Sequence, residues 1–283
     1  MIAQLPKSEN GLGLMLVVMS AITFSTAGLF AKGVQAAPWD IIFWRGVFSA
    51  GFTTIWVWHR GQLWDNFPKM GISGVAVAIV GALGTSSFIA AFKLTTIANV
   101  SLIYAVAPML AALLAWFWIG EKTSKVVITG SLLALVGVTI IVSGSLGQIN
   151  LRGDLLALGM AIAMAVLMVI YRRYPTTPGA GPAALSSLLL VPVALKFVDP
   201  FGIPMHEILI LSAFGLVFAI ASVTLAEGAK RLPSGQTALL STLEVPLAPV
   251  LAFLILSEIP HTRTLAGGML VLVAVLLAAK DQR

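Results

Sequence analysis

The chain has 283 residues and no cysteine; 59% of its residues are hydrophobic, only 10% are charged, and the formal net charge is +6. Soluble domains are usually about 25% charged because their surfaces face water, so a chain with this little charge and a mean hydropathy of +1.00 cannot cover a water-facing surface of its own size. The lack of cysteine excludes disulfides and thiolate metal sites, and the basic residues, scattered between apolar runs, read as membrane-loop charge rather than as a nucleic-acid-binding stripe.

The first apolar run, 12–34, is longer than a signal-peptide core of roughly 7–15 residues and reads as a membrane span. A helix needs about 20 apolar residues to cross the roughly 30 Å hydrocarbon core. On that basis spans are predicted near 12–33, 40–58, 70–92, 95–118, 125–144, 154–172, 180–197, 207–229, 233–256 and 264–280. Separators such as Lys93-Leu94 and Lys230-Arg231-Leu232 are so short that neighbouring helices must run antiparallel. If the N-terminus is inside, the inner segments hold Lys7, Arg60, Lys69, Lys122, Lys125, Arg172, Arg173, Lys230, Arg231, Lys280 and Arg283. The outer segments hold only Lys32, Lys93, Arg152, Lys196 and Arg263. That bias predicts both termini in the cytoplasm of a bacterial-type inner membrane.

Matched spacings recur along the chain. Gly13 precedes Lys32 as Gly153 precedes Arg172, Leu94 precedes Pro108 as Leu232 precedes Pro246, and Glu121 precedes Gly130 as Glu258 precedes Gly267. The strings GSLLALVGV (130–138) and GGMLVLVAV (267–275) follow in register. The expected architecture is therefore all-α: ten transmembrane helices as two five-helix repeats, 1–148 and 149–283. Because five is odd, the second repeat must lie upside down relative to the first. Such halves can exchange roles around a midplane solute site.

The second-span arginine in FWRGVFSAG (43–51), the segments APMLAALLAWFWIGE (107–121) and LEVPLAPVLAFLILSE (243–258), the helix count and the duplication carry a resemblance over essentially the whole chain. The sequence resembles the drug/metabolite transporter superfamily, in particular its EamA-like ten-helix permeases. The resemblance implies a carrier working without ATP, proton-coupled or facilitated, often exporting amino acids or other metabolites. The second half departs from the first by an extra proline and a one-residue deletion near Pro246.

Ionisable groups inside spans cost roughly 2.5–3.5 kcal/mol at a helix centre on insertion scales, so they face a cavity or a partner. The chain places Arg45, Glu227 and Glu244 there. Glu244 reads either as a proton or cation site or as hydrogen-bonded structural glue. Glu227 is expected to pair with Lys230 or Arg231 one turn on. Arg45 reads as a ligand for a substrate carboxylate, as a snorkelling side chain or as an anchor of helix ends, and the shared family arginine favours a structural or gating role. Pro108, Pro246 and Pro249 are expected to kink their helices and free the carbonyls of Tyr104, Thr242 and Val245 beside a cavity. Trp44, Ser25, Ser86 and Ser87 are further lining candidates by depth; the other tryptophans read as an interfacial belt.

No HExxH, no GxxxxGKS loop and no long polar loop is present, and His59, His206 and His261 are too dispersed for a metal site, so neither enzyme chemistry, a cofactor nor a metal is expected. The partners expected are a small organic solute, protons as the candidate coupling ion, and lipid, in a monomer or homodimer. Export of amino acids or related compounds by alternating access is the leading reading. Uptake or exchange of cationic, drug-like solutes, and a non-transporting scaffold or intramembrane enzyme, are the alternatives.

Overall fold

Each apolar stretch is helical in the computed structural model, which describes residues 7–95, 97–143, 150–197, 202–257 and 261–281. The helices are α1 (Lys7–Ser25), α2 (Ala27–Lys32), α3 (Pro38–His59), α4 (Leu63–Asn66), α5 (Gly71–Leu94), α6 (Ile97–Tyr104), α7 (Ala107–Ile119), α8 (Lys125–Val142), α9 (Leu151–Arg173), α10 (Ala180–Ala194), α11 (Met205–Ala229), α12 (Ser234–Ser241), α13 (Glu244–Leu256) and α14 (Thr262–Lys280). The ends carry the expected signals. Pro38 opens α3, where a missing N–H costs nothing. Ser124 and Asn150 cap α8 and α9 by accepting the amides of Val127 and Gly153, each at 3.1 Å. Gly120 closes α7 at φ 68°, a left-handed angle that favours glycine. Glu258 and Arg283, used in the sequence reading, lie outside the described residues.

Among the described residues, eight helices or continuous helical runs are long and apolar enough to cross a membrane, and Glu9–Ser25 and Ala180–Ala194 are shorter apolar helices. The difference from ten long spans has local causes. Thr23, Ser25 and Thr26 turn their hydroxyls onto the carbonyls of Met19, Ile22 and Thr23 at 2.6–2.7 Å. Hydroxyls bonded back along a helix compete with its ladder, and here α1 gives way to α2. Helix α10 contains Pro192, which cannot donate to the ladder.

The prolines act differently from the expected kinks. Pro108 stands in the first turn of α7, after a two-residue turn at Ala105-Val106. Pro246 is the third residue of α13, after a break at Thr242-Leu243. At both places the missing N–H falls where a helix has no partner for it anyway. The Thr242 carbonyl is not left free, because it accepts the amide of Val245 at 3.0 Å. Only Pro249 lies well inside its helix.

The most extensive packings join α8 to α14, α5 to α9, α3 to α10 and α11, α1 to α11, α5 to α10, and α7 to α9 and α12. Every one of these joins a helix before residue 148 to a helix after it. They also come as images: α3 with α11 mirrors α10 with α5, and α5 with α9 mirrors α11 with α1. Small residues permit the closeness. A Cβ on Gly13 would lie 3.1 Å from Leu232 Cγ, and one on Gly153 3.0 Å from Leu94 Cβ. Gly130 similarly abuts Ala274, and Gly267 abuts Gly137. The interior is dominated by alanine, glycine, valine and small polar residues, whereas Phe117 (87% exposed) and Ile72 (91%) project outward. That sorting, small inside and large outside, suits lipid, where helices associate by close packing rather than by hiding apolar area from water.

Gly137→Val should therefore lower the melting temperature of the purified protein. The new Cβ would lie 2.7 Å from the Gly267 carbonyl oxygen and 2.9 Å from Val271, and overpacking of this kind costs about 1–3 kcal/mol. Gly51→Ala, where a Cβ meets only open space, should hold or raise stability by about 0.5–1 kcal/mol. Equal behaviour of the two variants would refute close α8–α14 packing.

Candidate functional site

Two of the helix breaks face each other. Tyr104 is the last residue of α6 and Glu244 the first of α13, and the Tyr104 hydroxyl lies within hydrogen-bonding reach of the Glu244 carboxyl. Both side chains are half-buried. An acid in the first turn of a helix is favoured by the amides exposed there. The pair thus joins a titratable group to a phenol across the contact between the two halves.

Arg45 lies on α3, seven residues past its start, or roughly 10 Å along the axis. Its guanidinium carbon sits 3.9 Å from the centre of the Phe218 ring and 5.8 Å from that of Phe214, both on α11. Phe24 of α1 meets Phe218 edge-on at 5.6 Å, and Phe30 of α2 stacks on Phe214 at 5.2 Å. Gly215 sets the approach: its Cβ would lie 2.9 Å from the Ser49 amide and 3.2 Å from the Arg45 carbonyl. The starts of α3 and α11 share one face, because Glu207 accepts the amides of Gln35 and Ala36 at 3.1 and 3.0 Å. Phe218 is one turn deeper than Phe214, so Arg45 points inward along α11. The snorkelling reading does not hold.

The other candidates divide. Ser25 and Thr242 are 3% and 1% exposed and bond back to the carbonyls of Ile22 and Leu239 at 2.6 Å, so their hydroxyls are occupied within the broken helices. Ser87 is half-buried on α5, where it meets Gly159 of α9. Ser86 bonds back to the Ala82 carbonyl at 2.8 Å. Trp44 stacks on Phe48 at 5.5 Å, beside Arg45 on α3. An apolar groove of about 530 Å³, lined by residues including Phe67, Met70 and Ile79, lies at the start of α5 and has no part in this arrangement.

A cluster of ion pairs occupies the face where α1 begins. Glu121, just after α7, accepts Arg172 Nε at 2.9 Å and the Ser234 amide at 2.8 Å. Glu227 accepts Lys230 Nζ at 2.5 Å and Arg231 at 3.0 Å, as the spacing predicts, and Arg231 also reaches Glu9 of α1 at 3.0 Å. Arg172 Nη1 closes the chain on the Lys230 carbonyl at 3.4 Å. Burial pushes the Lys230 ammonium below its usual value, and Glu227 opposes that shift. The opposite face is tied by Thr95, which donates to Asp154 at 2.9 Å and accepts from Asn99 at 3.0 Å. Sequence reasoning missed the phenylalanine cage and the Glu121–Arg172 and Glu207 contacts, since each joins residues more than fifty positions apart.

The profile of the EamA-like transporter family matches residues 11–143 and, a second time, residues 151–280. Among curated proteins, the chain is 24% identical to "Uncharacterized transporter YyaM" of Bacillus subtilis over 90% of its own length and 86% of that protein's. It is 24% identical to "Solute carrier family 35 member G1" of Mus musculus, covering 93% of this chain and 77% of that one. It is 23% identical to "Pseudopaline exporter CntI" of Pseudomonas aeruginosa, covering 96% and 97%. A protein of known crystal structure superposes with a TM-score of 0.81 at 21% identity, over 94% of this chain and 96% of that one.

Glu121→Ala should destabilise the purified protein by about 3–5 kcal/mol, because it strands a nearly buried arginine (Arg172 and Glu121 are 11% and 10% exposed). Asp65→Ala, which breaks the Lys69–Asp65 pair at 62% exposure on both sides, should change stability by no more than about 0.5 kcal/mol. Thermal melts of the two variants compare them directly.

Proposed function

The chain belongs to the EamA-like transporter family and is a multi-pass membrane transporter of small-molecule solutes; from that premise we propose that it exports amino acids or related metabolites by alternating access of two inverted five-helix halves, 1–148 and 149–283. In this reading the pairs α1–α2, α6–α7 and α12–α13 each cross as one broken span, which brings the crossings to ten. Inversion is supported by the ends of the helices: Glu9 at the start of α1 and Arg172 at the end of α9, its counterpart, meet the same ion cluster. The exchanged contacts Gly13–Leu232 and Gly153–Leu94 support it further.

The observation that carries the proposal is the meeting of Tyr104 and Glu244 at matched breaks in the two halves. Discontinuous helices leave polar backbone near the midplane only where protein or a cavity surrounds it. Glu244 serves there as the proton site that couples transport, and the outward direction is supported by the relative named as an exporter. The same carboxyl favours a second reading, exchange of a cationic solute, in which Glu244 meets the cation directly. The charged face lies in the cytoplasm of a bacterial inner membrane, in line with the lysine and arginine bias.

Counterflow in proteoliposomes tests the carrier: a preloaded solute should accelerate entry of its labelled copy, saturably, and absence of any counterflow across an amino-acid panel would reject it. Glu244→Gln keeps shape and hydrogen bonding but removes the titration, so its counterflow should persist while the response to an imposed pH gradient disappears. A wild-type pH response in that variant would end the coupling role. Topology is tested by single cysteines in this cysteine-free chain. Lys122→Cys should resist an impermeant thiol reagent in intact cells and Arg152→Cys should react, whereas labelling of position 122 from outside would overturn the orientation.

A further inference from the structure

Arg45 is the charged group least accounted for. The acids nearest the start of α3 are already engaged: Asp40 accepts the Ala37 amide at 3.2 Å, and Glu207 accepts the amides of Gln35 and Ala36. Glu244 has Tyr104, and Glu121 and Glu227 are held in the ion cluster at the far face. Among the described residues Arg45 makes no ion pair and no side-chain hydrogen bond; its contacts are the Phe218 and Phe214 rings.

A ring face attracts a cation but accepts no hydrogen bonds in the guanidinium plane. Arginine carries five N–H donors in a planar fork, matched to the two oxygens of a carboxylate. With its guanidinium carbon 3.9 Å from the centre of the Phe218 ring, Arg45 has a cation–π partner, but among the described residues its N–H donors have no acceptor. The site is also built to hold this pose. Gly215 brings α11 against the backbone of α3 at Arg45 and Ser49, and Phe24 and Phe30 brace the two rings from α1 and α2. Three separate stretches of chain thus converge to orient one unpaired cation well inside the bundle.

We propose that Arg45, seated on Phe218, is the anchor for a carboxylate group on the transported solute, with the Phe24, Phe214 and Phe218 rings contacting its apolar part. The proposal rests on the carrier reading and narrows it: the solute is a small organic anion or zwitterion, bound by its carboxylate on the α3–α11 side of the molecule. Arg45 binds solute directly, and Phe218 and Gly215 are positioning residues.

The test is equilibrium binding of phenylacetate, phenylacetamide and phenethylamine to the full-length protein in nanodiscs, followed by melting temperature and tryptophan fluorescence. Phenylacetate should bind saturably and at least about tenfold more tightly than its neutral amide, as expected for a charge-assisted fork; phenethylamine should be weaker still. Arg45→Gln should bring the acid and the amide to within about threefold, while Arg45→Lys should keep part of the preference and Arg152→Gln all of it. Equal binding of acid and amide by the wild type, no binding of either, or a preference that survives Arg45→Gln would each overturn the assignment. If Arg45→Gln does not fold, phenylglyoxal labelling of the wild type, located by peptide mass, replaces it. Phenylacetate should then protect Arg45 and phenylacetamide should not, and equal protection would overturn the proposal. Binding requires no flux, so the two readings fail separately: counterflow without a carboxylate preference removes this site and keeps the carrier, and the converse result does the reverse.

Discussion

In the hydrocarbon core no water reaches a lipid-exposed amide or carbonyl, so every helix break must be satisfied by protein or line a water-filled cavity. Among the described residues three apolar stretches are interrupted, and each interruption is closed by short local bonds. At Thr26 the partners are the hydroxyls of Thr23, Ser25 and Thr26. At Val106 the amide tightens onto Ile103 at 3.1 Å. At Thr242 the amide and carbonyl pair with Leu239 and Val245, at 3.2 and 3.0 Å. The two prolines near these breaks start new helices rather than bend old ones. The breaks therefore lie where the halves meet, and the polar side chains they present, Tyr104 and Glu244, come with them.

Side-chain size follows from the same solvent. With lipid outside, burying a large apolar residue gains little, whereas close backbone approach gains dispersion and lets rare polar groups find partners. Glycines 130, 137 and 267 bring α8 against α14, and Gly228 brings α11 against α1, where Ser20 also donates to the Ala221 carbonyl at 2.8 Å. Because the widest packings all run between the halves, neither half has a core of its own to fold around. The duplication visible in the sequence is a plan for interlocking and does not mark off two independent domains.

The membrane class, the helical stretches and the pairing of Glu227 with Lys230 and Arg231 were legible in the sequence, because each depends on local composition or on spacing of one turn. So were the matched prolines Pro108 and Pro246, which mark irregular helix at corresponding places in the two halves. The breaks were legible as irregularities but not in form: deciding between a kink and a new helix start depends on whether the turn before the proline keeps its bonds, which involves residues 103–106 and 239–245 together. The direction of Arg45 was hidden. Depth alone allowed it to point to water or inward, and the choice is made by Gly215, Phe214 and Phe218, about 170 positions away. Glu207, which nothing in the sequence singles out, holds the α2–α3 turn through two amides.

The departures from exchange symmetry matter as much as the symmetry. Helix α1 is broken at Thr26, but its counterpart α9 runs unbroken from Leu151 to Arg173. Where α1 begins, six charged side chains from four stretches of chain link the halves through ion pairs; the tie described at the other face is a chain of neutral donors from Asn99 through Thr95 to the single acid Asp154. Under the proposed inverted arrangement, two halves on one plan would present the same surface to both sides if they had the same shape, and a carrier cannot open to one side alone in that condition. The proposed alternating access would require the halves to differ in any one state and to exchange that difference in the other. A bend made by back-bonding hydroxyls suits such a change, because the hydroxyls of Thr23, Ser25 and Thr26 already hold carbonyls at the break within a single stretch of chain.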